Sequence, residues 1–254
     1  MKSRLFSGIL IAILLSGFFP MTAMPALTKL SASDGTAGDY FGSSVALSDT
    51  YAIIGAPSAS SGIGAIYIFD RTSAWAQTAK KTSDSGQSGD LFGNAVAVSG
   101  NYIVVGAPYF SSRASHEGAA YIYKLSGTTW TLQSKIVADD KLTSSENYKY
   151  QDDRFGSSVA VSGNYIVVGA PYDADKGSNA GSVYIFQTTG AQIAKLTAGD
   201  ASAGDFFGSS VGIYGNYAFV GAPGRDDKGS GSGSVYVFYF NGTTWVQQSK
   251  LTAS

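Results

Sequence analysis

Residues 155–171 read FGSSVAVSGNYIVVGAP, and the chain writes nearly the same phrase at 41–57 (FGSSVALSDTYAIIGAP), 92–108 (FGNAVAVSGNYIVVGAP) and 207–223 (FGSSVGIYGNYAFVGAP). The opening residues Phe41, Phe92, Phe155 and Phe207 stand 51, 63 and 52 residues apart. From each of them to the Gly of Gly-Ala-Pro (Gly55, Gly106, Gly169, Gly221) the distance is always 14. Recurrence at this period marks one supersecondary unit copied and stacked.

The unit is made of strands. SSVAV and NYIVV alternate apolar and small residues, and Ser-Gly-Asn joins them as a turn whose Gly or Asn accepts positive φ. A Gly/Ser-rich loop leads to a third alternation: AIYIF (65–69), AAYIY (119–123), SVYIF (182–186) and SVYVF (234–238). A fourth segment begins at Trp75, Trp130 and Trp245, each five residues before a Lys (Lys80, Lys135, Lys250). Gly190 takes the Trp position in the third unit, so its fourth strand is expected to be the weakest. No helical periodicity competes with this pattern. An all-β fold is therefore expected, a β-propeller of four-stranded antiparallel blades, with repeats at about 29–79, 80–134, 135–194 and 195–249. Each Phe is expected to plug the apolar space between blades, worth about 1.5–3 kcal/mol. Gly42, Gly93, Gly156 and Gly208 behind them would let backbones approach closely.

These motifs resemble the FG-GAP repeat, the blade unit of integrin α-subunit β-propellers, in its bacterial secreted form. The resemblance covers residues 29 to 254 and rests on four in-register copies of both halves of the motif. It implies a β-propeller used in extracellular recognition or adhesion, with a protein or a carbohydrate as partner. Two departures matter. Integrin-type repeats often carry an Asp-x-Asp-x-Asp-Gly calcium loop before the strand ending in Gly-Ala-Pro. Here that place holds Ser48-Asp49-Thr50, Ser99-Gly100-Asn101, Ser162-Gly163-Asn164 and Tyr214-Gly215-Asn216, with at most one carboxylate each, whereas calcium takes about six to eight oxygens. Integrin propellers also have seven blades, against four here. Residues 250–254 (KLTAS) echo the lead-in at 29–33 (KLSAS) as if a fifth unit began. A truncated array, a four-bladed ring with a spare end, and an open arc completed by self-association all fit.

Lys2 and Arg4 precede an apolar run from Leu5 to Phe19, then Pro20 and small residues. That is the pattern of a secretory signal peptide over 1–26, its 15-residue apolar run short of the about 20 residues that span a bilayer. It leaves a domain over 27–254 and a secreted, periplasmic or cell-surface location. Without the leader, 15 basic residues face 18 acidic ones, so no cationic surplus exists to hold nucleic acid. No second apolar stretch approaches membrane length. The absence of cysteine excludes disulfides and thiolate metal sites.

Candidate site residues fall in the loops that differ between units. Asp173, Asp175 and Asn179 place oxygens at alternate positions, the first half of a calcium loop that lacks its closing Glu. Calcium is the one cofactor the sequence admits, and none is required. Asp39, Asp90, Asp153 and Asp205, two residues before each Phe, read either as turn acceptors for backbone N–H groups or, with Asp34, Asp84 and Asp200, as a loose cation loop. The lead-in to the third Phe is eight residues longer than the others; the extra residues lie within 139–151, where Tyr148 and Tyr150 flank Lys149. With Tyr172 and Arg225 these are the candidate ligand contacts, because a rigid repeat collects binding residues in its loops. His116, the single histidine, reads as a surface side chain rather than part of a triad, and no nucleophile elbow accompanies it. The chain reads as a non-catalytic binding module. The alternatives are a structural or truncated propeller without a ligand, or an accessory to a secreted hydrolase.

Overall fold

A computed structural model describes residues 28–112, 115–139 and 152–253. The fold lies in the unit Ser31–Ser254; of the preceding unit, Met1–Leu30, only residues 28–30 are described. The leader at 1–26 and the Tyr148-Lys149-Tyr150 insertion lie outside the described residues.

Every repeat folds as a sheet of four antiparallel strands in chain order. The first blade is β1 (Ser44–Leu47), β2 (Tyr51–Ala56), β3 (Ala65–Asp70) and β4 (Ala76–Lys81), and the second β5 (Ala95–Ser99), β6 (Tyr102–Ala107), β7 (Ala119–Ser126) and β8 (Thr129–Ile136). The third is β9 (Ser158–Ser162), β10 (Tyr165–Ala170), β11 (Ser182–Gln187) and β12 (Gln192–Leu196). The fourth is β13 (Ser210–Tyr214), β14 (Tyr217–Ala222), β15 (Ser234–Phe240) and β16 (Trp245–Thr252). A single 3-10 turn, Arg71–Ser73, is the one helical element among the described residues, and no helix there is long and apolar enough to cross a membrane. In the Gly-Asn turns between the first two strands the glycine takes the positive φ, at 53° for Gly100 and 55° for Gly163 and Gly215. Lys80, Lys135, Lys195 and Lys250, where the sequence repeats change over, lie inside the outermost strands β4, β8, β12 and β16. The strand after Gly190, β12, is the shortest of these four outer strands. Each blade also shifts register at the same place between its third and fourth strands, at Ile68/Phe69, Ile122/Tyr123, Ile185/Phe186 and Val237/Phe238, which adds twist to the outer edge.

Alternation with a period of two sends successive side chains to opposite faces, so the second and third blades each feed two junctions. Ile53, Ile66 and Ile68 of the first blade meet Phe92, Ile103 and Tyr121 of the second. Val104, Ala120 and Ile122, on the other face of the second blade, meet Phe155, Ile166 and Tyr184 of the third. Val167, Val183 and Ile185 then meet Phe207, Val220 and Tyr236 of the fourth. Along the inner edge β1 touches β5, β5 touches β9 and β9 touches β13.

The Phe-Gly pair locks each junction. Phe92, Phe155 and Phe207 are fully buried and lie edge-on to Tyr121, Tyr184 and Tyr236 of their own blades, with centroids 5.0–5.4 Å apart. Their amides donate backward to the carbonyls of Ile63 (3.0 Å), Glu117 (3.1 Å) and Ala180 (3.0 Å) in the preceding blade. The next glycine donates to the Gly-Ala-Pro glycine of its own blade, as in Gly156 N to Gly169 O at 3.0 Å. Its carbonyl presses on the matching glycine of the blade before, where a Cβ on Gly106 would stand 2.0 Å from the Gly156 oxygen. Only glycine fits that approach.

Candidate ligand-binding face

Antiparallel order puts two loops of every blade on one face: the segment before the Phe-Gly pair and the segment after Gly-Ala-Pro. They are tied together by backbone, with Tyr109 N donating to Asp90 O and Tyr172 N to Asp153 O. Residues just before the Phe hold positive φ, namely Tyr40 (55°), Leu91 (58°), Arg154 (51°) and Phe206 (52°). Those just after Gly-Ala-Pro are Ser58, Tyr109, Tyr172 and Gly224. The two sets interleave across neighbouring blades.

In the middle of the array they form a row. The Arg154 guanidinium lies 3.9 Å from the Tyr172 ring centroid and 4.8 Å from that of Tyr109. Asp152 holds it with two hydrogen bonds, from Nε at 2.9 Å and Nη2 at 2.8 Å. Tyr172 continues edge-on to Phe206 at 5.4 Å, and Tyr109 to His116 at 5.0 Å. His116 Nδ1 stands 3.6 Å from Asp152 Oδ1. All four members, Tyr109, Arg154, Tyr172 and Phe206, are half-buried. A flat cation over two rings, itself held by a carboxylate, is a stiff arrangement.

Of the sequence-derived candidates, Tyr172 belongs to this row. Arg225 does not. It is spent on a carboxylate cluster, with Asp227 at 3.0 Å, Asp205 at 3.2 Å and Asp200 at 3.3 Å. Lys250 donates to Asp200 at 2.6 Å and also meets Asp227, while the Tyr236 hydroxyl donates to Asp200 at 2.8 Å. The Lys250 hydrogen bond, helped by Ser234 and Arg225, holds Asp227 down at about 2. Burial pushes Tyr236 up to about 12, with Asp200 adding to it.

The candidate cation ligands Asp173 and Asp175 converge on a lysine. Asp173, nearly sealed from solvent, receives Lys195 Nζ at 2.8 Å and the Tyr184 hydroxyl at 3.0 Å. Asp175 Oδ2 receives the same ammonium at 2.7 Å. The Asn179 backbone carbonyl accepts from Phe206 N at 3.0 Å. Lys195 thus supplies the positive charge that the acidic pair would otherwise seek. The same Asp–Tyr–Lys contact recurs in the first blade, where Tyr67 and Lys80 donate to Asp34 at 2.9 and 2.7 Å. Asp39, Asp90 and Asp205 accept backbone N–H bonds from Thr36, Gln87 and Ser202 at 2.7–2.8 Å, which is the turn-acceptor role. No group of three or more metal-ligating side chains occurs among the described residues.

Sequence reasoning missed Tyr109, Arg154 and Phe206. The signal was present: between a constant Asp and the Phe one residue changes from copy to copy (Tyr40, Leu91, Arg154, Phe206), and so does the residue after each Pro (Ser58, Tyr109, Tyr172, Gly224).

Such a stack of four-stranded sheets, locked by Phe-Gly pairs and carrying variable side chains at one face, defines a β-propeller-type repeat protein. The FG-GAP repeat matches residues 26–69, 75–123, 130–186 and 191–238, and the chain belongs to that family. It is similar to Integrin alpha-11 of Homo sapiens, 31% identical over 135 residues, which cover 48% of this chain and 10% of that protein. Integrin alpha-11 of Mus musculus is 32% identical over 122 residues, covering 43% of this chain and 9% of the relative. The alignments therefore span about a tenth of these relatives.

Proposed function

We propose that the chain is an exported, non-catalytic binding module that recognises an extracellular protein or glycan through the row Tyr109–Arg154–Tyr172–Phe206. The row itself carries this reading: three half-buried rings and one guanidinium, preorganised on rigid blade ends, at the positions the repeat leaves free to vary. Rings of this kind offer large contact area at little entropic cost, and a held guanidinium adds directional donors. Similarity to integrin α subunits supports recognition over catalysis. So does the local chemistry around His116, where the Ser111 hydroxyl is spent on the Tyr109 carbonyl and the Ser112 hydroxyl on Glu117. The leader pattern at 1–26 supports export.

Glycan and extracellular-protein arrays probed with the chain, beside Tyr172→Ala and Arg154→Met variants, test the reading. Binding that falls at least about 10-fold in both variants, which is about 1.4 kcal/mol, with the circular dichroism spectrum retained, is the expected result. Arrays silent for the parent chain, or signals indifferent to both changes, would reject it.

A further inference from the structure

At the strand ends opposite the row, the junction between the third and fourth blades holds a pocket of about 210 Å³. Three rings line it: Tyr165 opens β10, Phe240 closes β15 and Trp245 opens β16. They pack as a trio, with centroids 5.7 Å apart for Tyr165–Phe240 and Tyr165–Trp245 and 5.5 Å for Phe240–Trp245. Ile193, 42% exposed, adds an apolar wall. The polar part of the lining is uncharged, made of Gln187, Thr243 and Thr244. Neither the Gln187 amide nor the two threonine hydroxyls has a hydrogen-bond partner among the described residues. The Asn241 side-chain oxygen accepts from the Thr243 and Thr244 amides at 3.0 and 2.9 Å, which fixes the turn that carries those hydroxyls.

The junction between the first and second blades is built on the same frame and lacks this chemistry. There Trp130 lies edge-on to Tyr51 at 5.3 Å, as Trp245 does to Tyr165. Leu125 pairs with Trp130 where Phe240 pairs with Trp245. Asp70, opposite Tyr51 as Gln187 is opposite Tyr165, spends its carboxylate on the Thr72 amide and hydroxyl at 2.7 and 2.6 Å. Thr78 lies at the register shift of the first blade where Ile193 lies at that of the third. Both indole N–H groups are buried without an acceptor, so each tryptophan offers its ring alone. The third ring, the unclaimed amide and the apolar wall are found between the third and fourth blades and not at this counterpart.

We propose that this pocket binds one neutral sugar ring, at a site separate from the Tyr109–Arg154–Tyr172–Phe206 row and independent of it. The volume admits a single small ring, being below the about 300–1,000 Å³ of pockets for drug-sized ligands. No carboxylate, ammonium or guanidinium lines it, so a charged ligand would lose water there without gaining a counter-charge. A pyranose carries C–H groups on its faces and hydroxyls around its rim. Its face lies against the half-buried rings of Tyr165 and Phe240 and against Ile193, while its hydroxyls exchange hydrogen bonds with Gln187, Thr243 and Thr244. A wholly apolar ring would bury those three polar groups unpaired, which disfavours it.

Saturation-transfer NMR titration of the purified chain with glucose, galactose, mannose, xylose, fucose and N-acetylglucosamine, each free and as its methyl glycoside, tests the proposal. The variants are Phe240→Leu, which copies Leu125 of the other junction, and Gln187→Leu at an exposed position. Both are expected to fold, which their melting curves check, and Ile193→Thr, copying Thr78, replaces Phe240→Leu should that variant melt early. At least one sugar is expected to bind saturably with a dissociation constant of about 0.1–10 mM. Binding should weaken at least about 5-fold in each variant. A glycoside that binds as well as the free sugar identifies the ligand as the end of a glycan, and binding of the free sugar alone identifies a free monosaccharide; either result sustains the proposal. Silence of the whole panel up to about 100 mM overturns it. So does binding indifferent to both variants, or a pocket that takes only glucuronate or only indole. Sugar binding lost in Arg154→Met and kept in both pocket variants belongs to the row and overturns it as well.

Discussion

Phe155 and Phe41 open the same phrase, FGSSVA, and end in opposite surroundings. Phe155 is sealed between the second and third blades, while Phe41 is half-exposed at the start of the array. The forward faces show the same contrast: Ile53, Ile66 and Ile68 of the first blade are fully buried, whereas Phe219 and Val235 at the matching places in the fourth are exposed. The lesson is that a blade holds together through its backbone ladder, while the Phe of its motif and its forward apolar face are sealed where another blade lies against them.

The largest test of that contrast is Phe155→Ala beside Phe41→Ala in urea unfolding, at concentrations where the chain is monomeric. The first should cost about 3–5 kcal/mol and the second less than about 1 kcal/mol. Equal losses would mean that Phe41 is covered in the monomer. Glycine separates junction from end almost as well. A methyl at Gly106 meets a backbone oxygen, and Gly106→Ala should cost about 1–3 kcal/mol or more. The methyl of Gly221→Ala meets only the Ser210 hydroxyl, and a change of no more than about 0.5 kcal/mol is expected.

Acid sharpens the picture at the fourth blade. Asp227 titrates at about 2 in the folded chain, below the ordinary value near 3.9. The stability it supplies is therefore complete above about pH 4 and is lost as pH falls toward about 2. Melting temperature should drop over that interval, and the drop should shrink in Lys250→Met, which removes the main cause of the shift; an unchanged slope would show that Lys250 is not the partner in solution. The smallest effect concerns calcium. Because the Lys195 ammonium already sits on both Asp173 and Asp175, millimolar calcium should move the melting temperature by less than about 2 °C, since a ligand stabilises only by binding the folded state. A larger rise would place a cation at that loop after all.

Much of the fold was legible because its determinants are local and repeated. Alternating residues define the strands, Ser-Gly-Asn defines the inner turn, and the Phe-Gly and Gly-Ala-Pro pairs recur in a frame that needs no tertiary information to align. The candidate site was less legible. Tyr172 stood out by composition, but Arg225 looked equally free until the structure set it among Asp200, Asp205 and Asp227, two of which precede the fourth Phe-Gly pair. Tyr109, Arg154 and Phe206 come from three different blades, and nothing local says that they meet.

The amino-acid sequence alone determined the blade, its four strands and the glycines that must remain bare, since each follows from short-range sterics and a period of two. Tertiary structure alone decided which carboxylates are already claimed by lysine or arginine, that one guanidinium lies over two tyrosine rings, and that Phe219 and Val235 of the fourth blade are exposed where their counterparts in the first are buried. Those outcomes depend on which blade lies beside which, a relation between distant segments that identical repeats do not encode one by one.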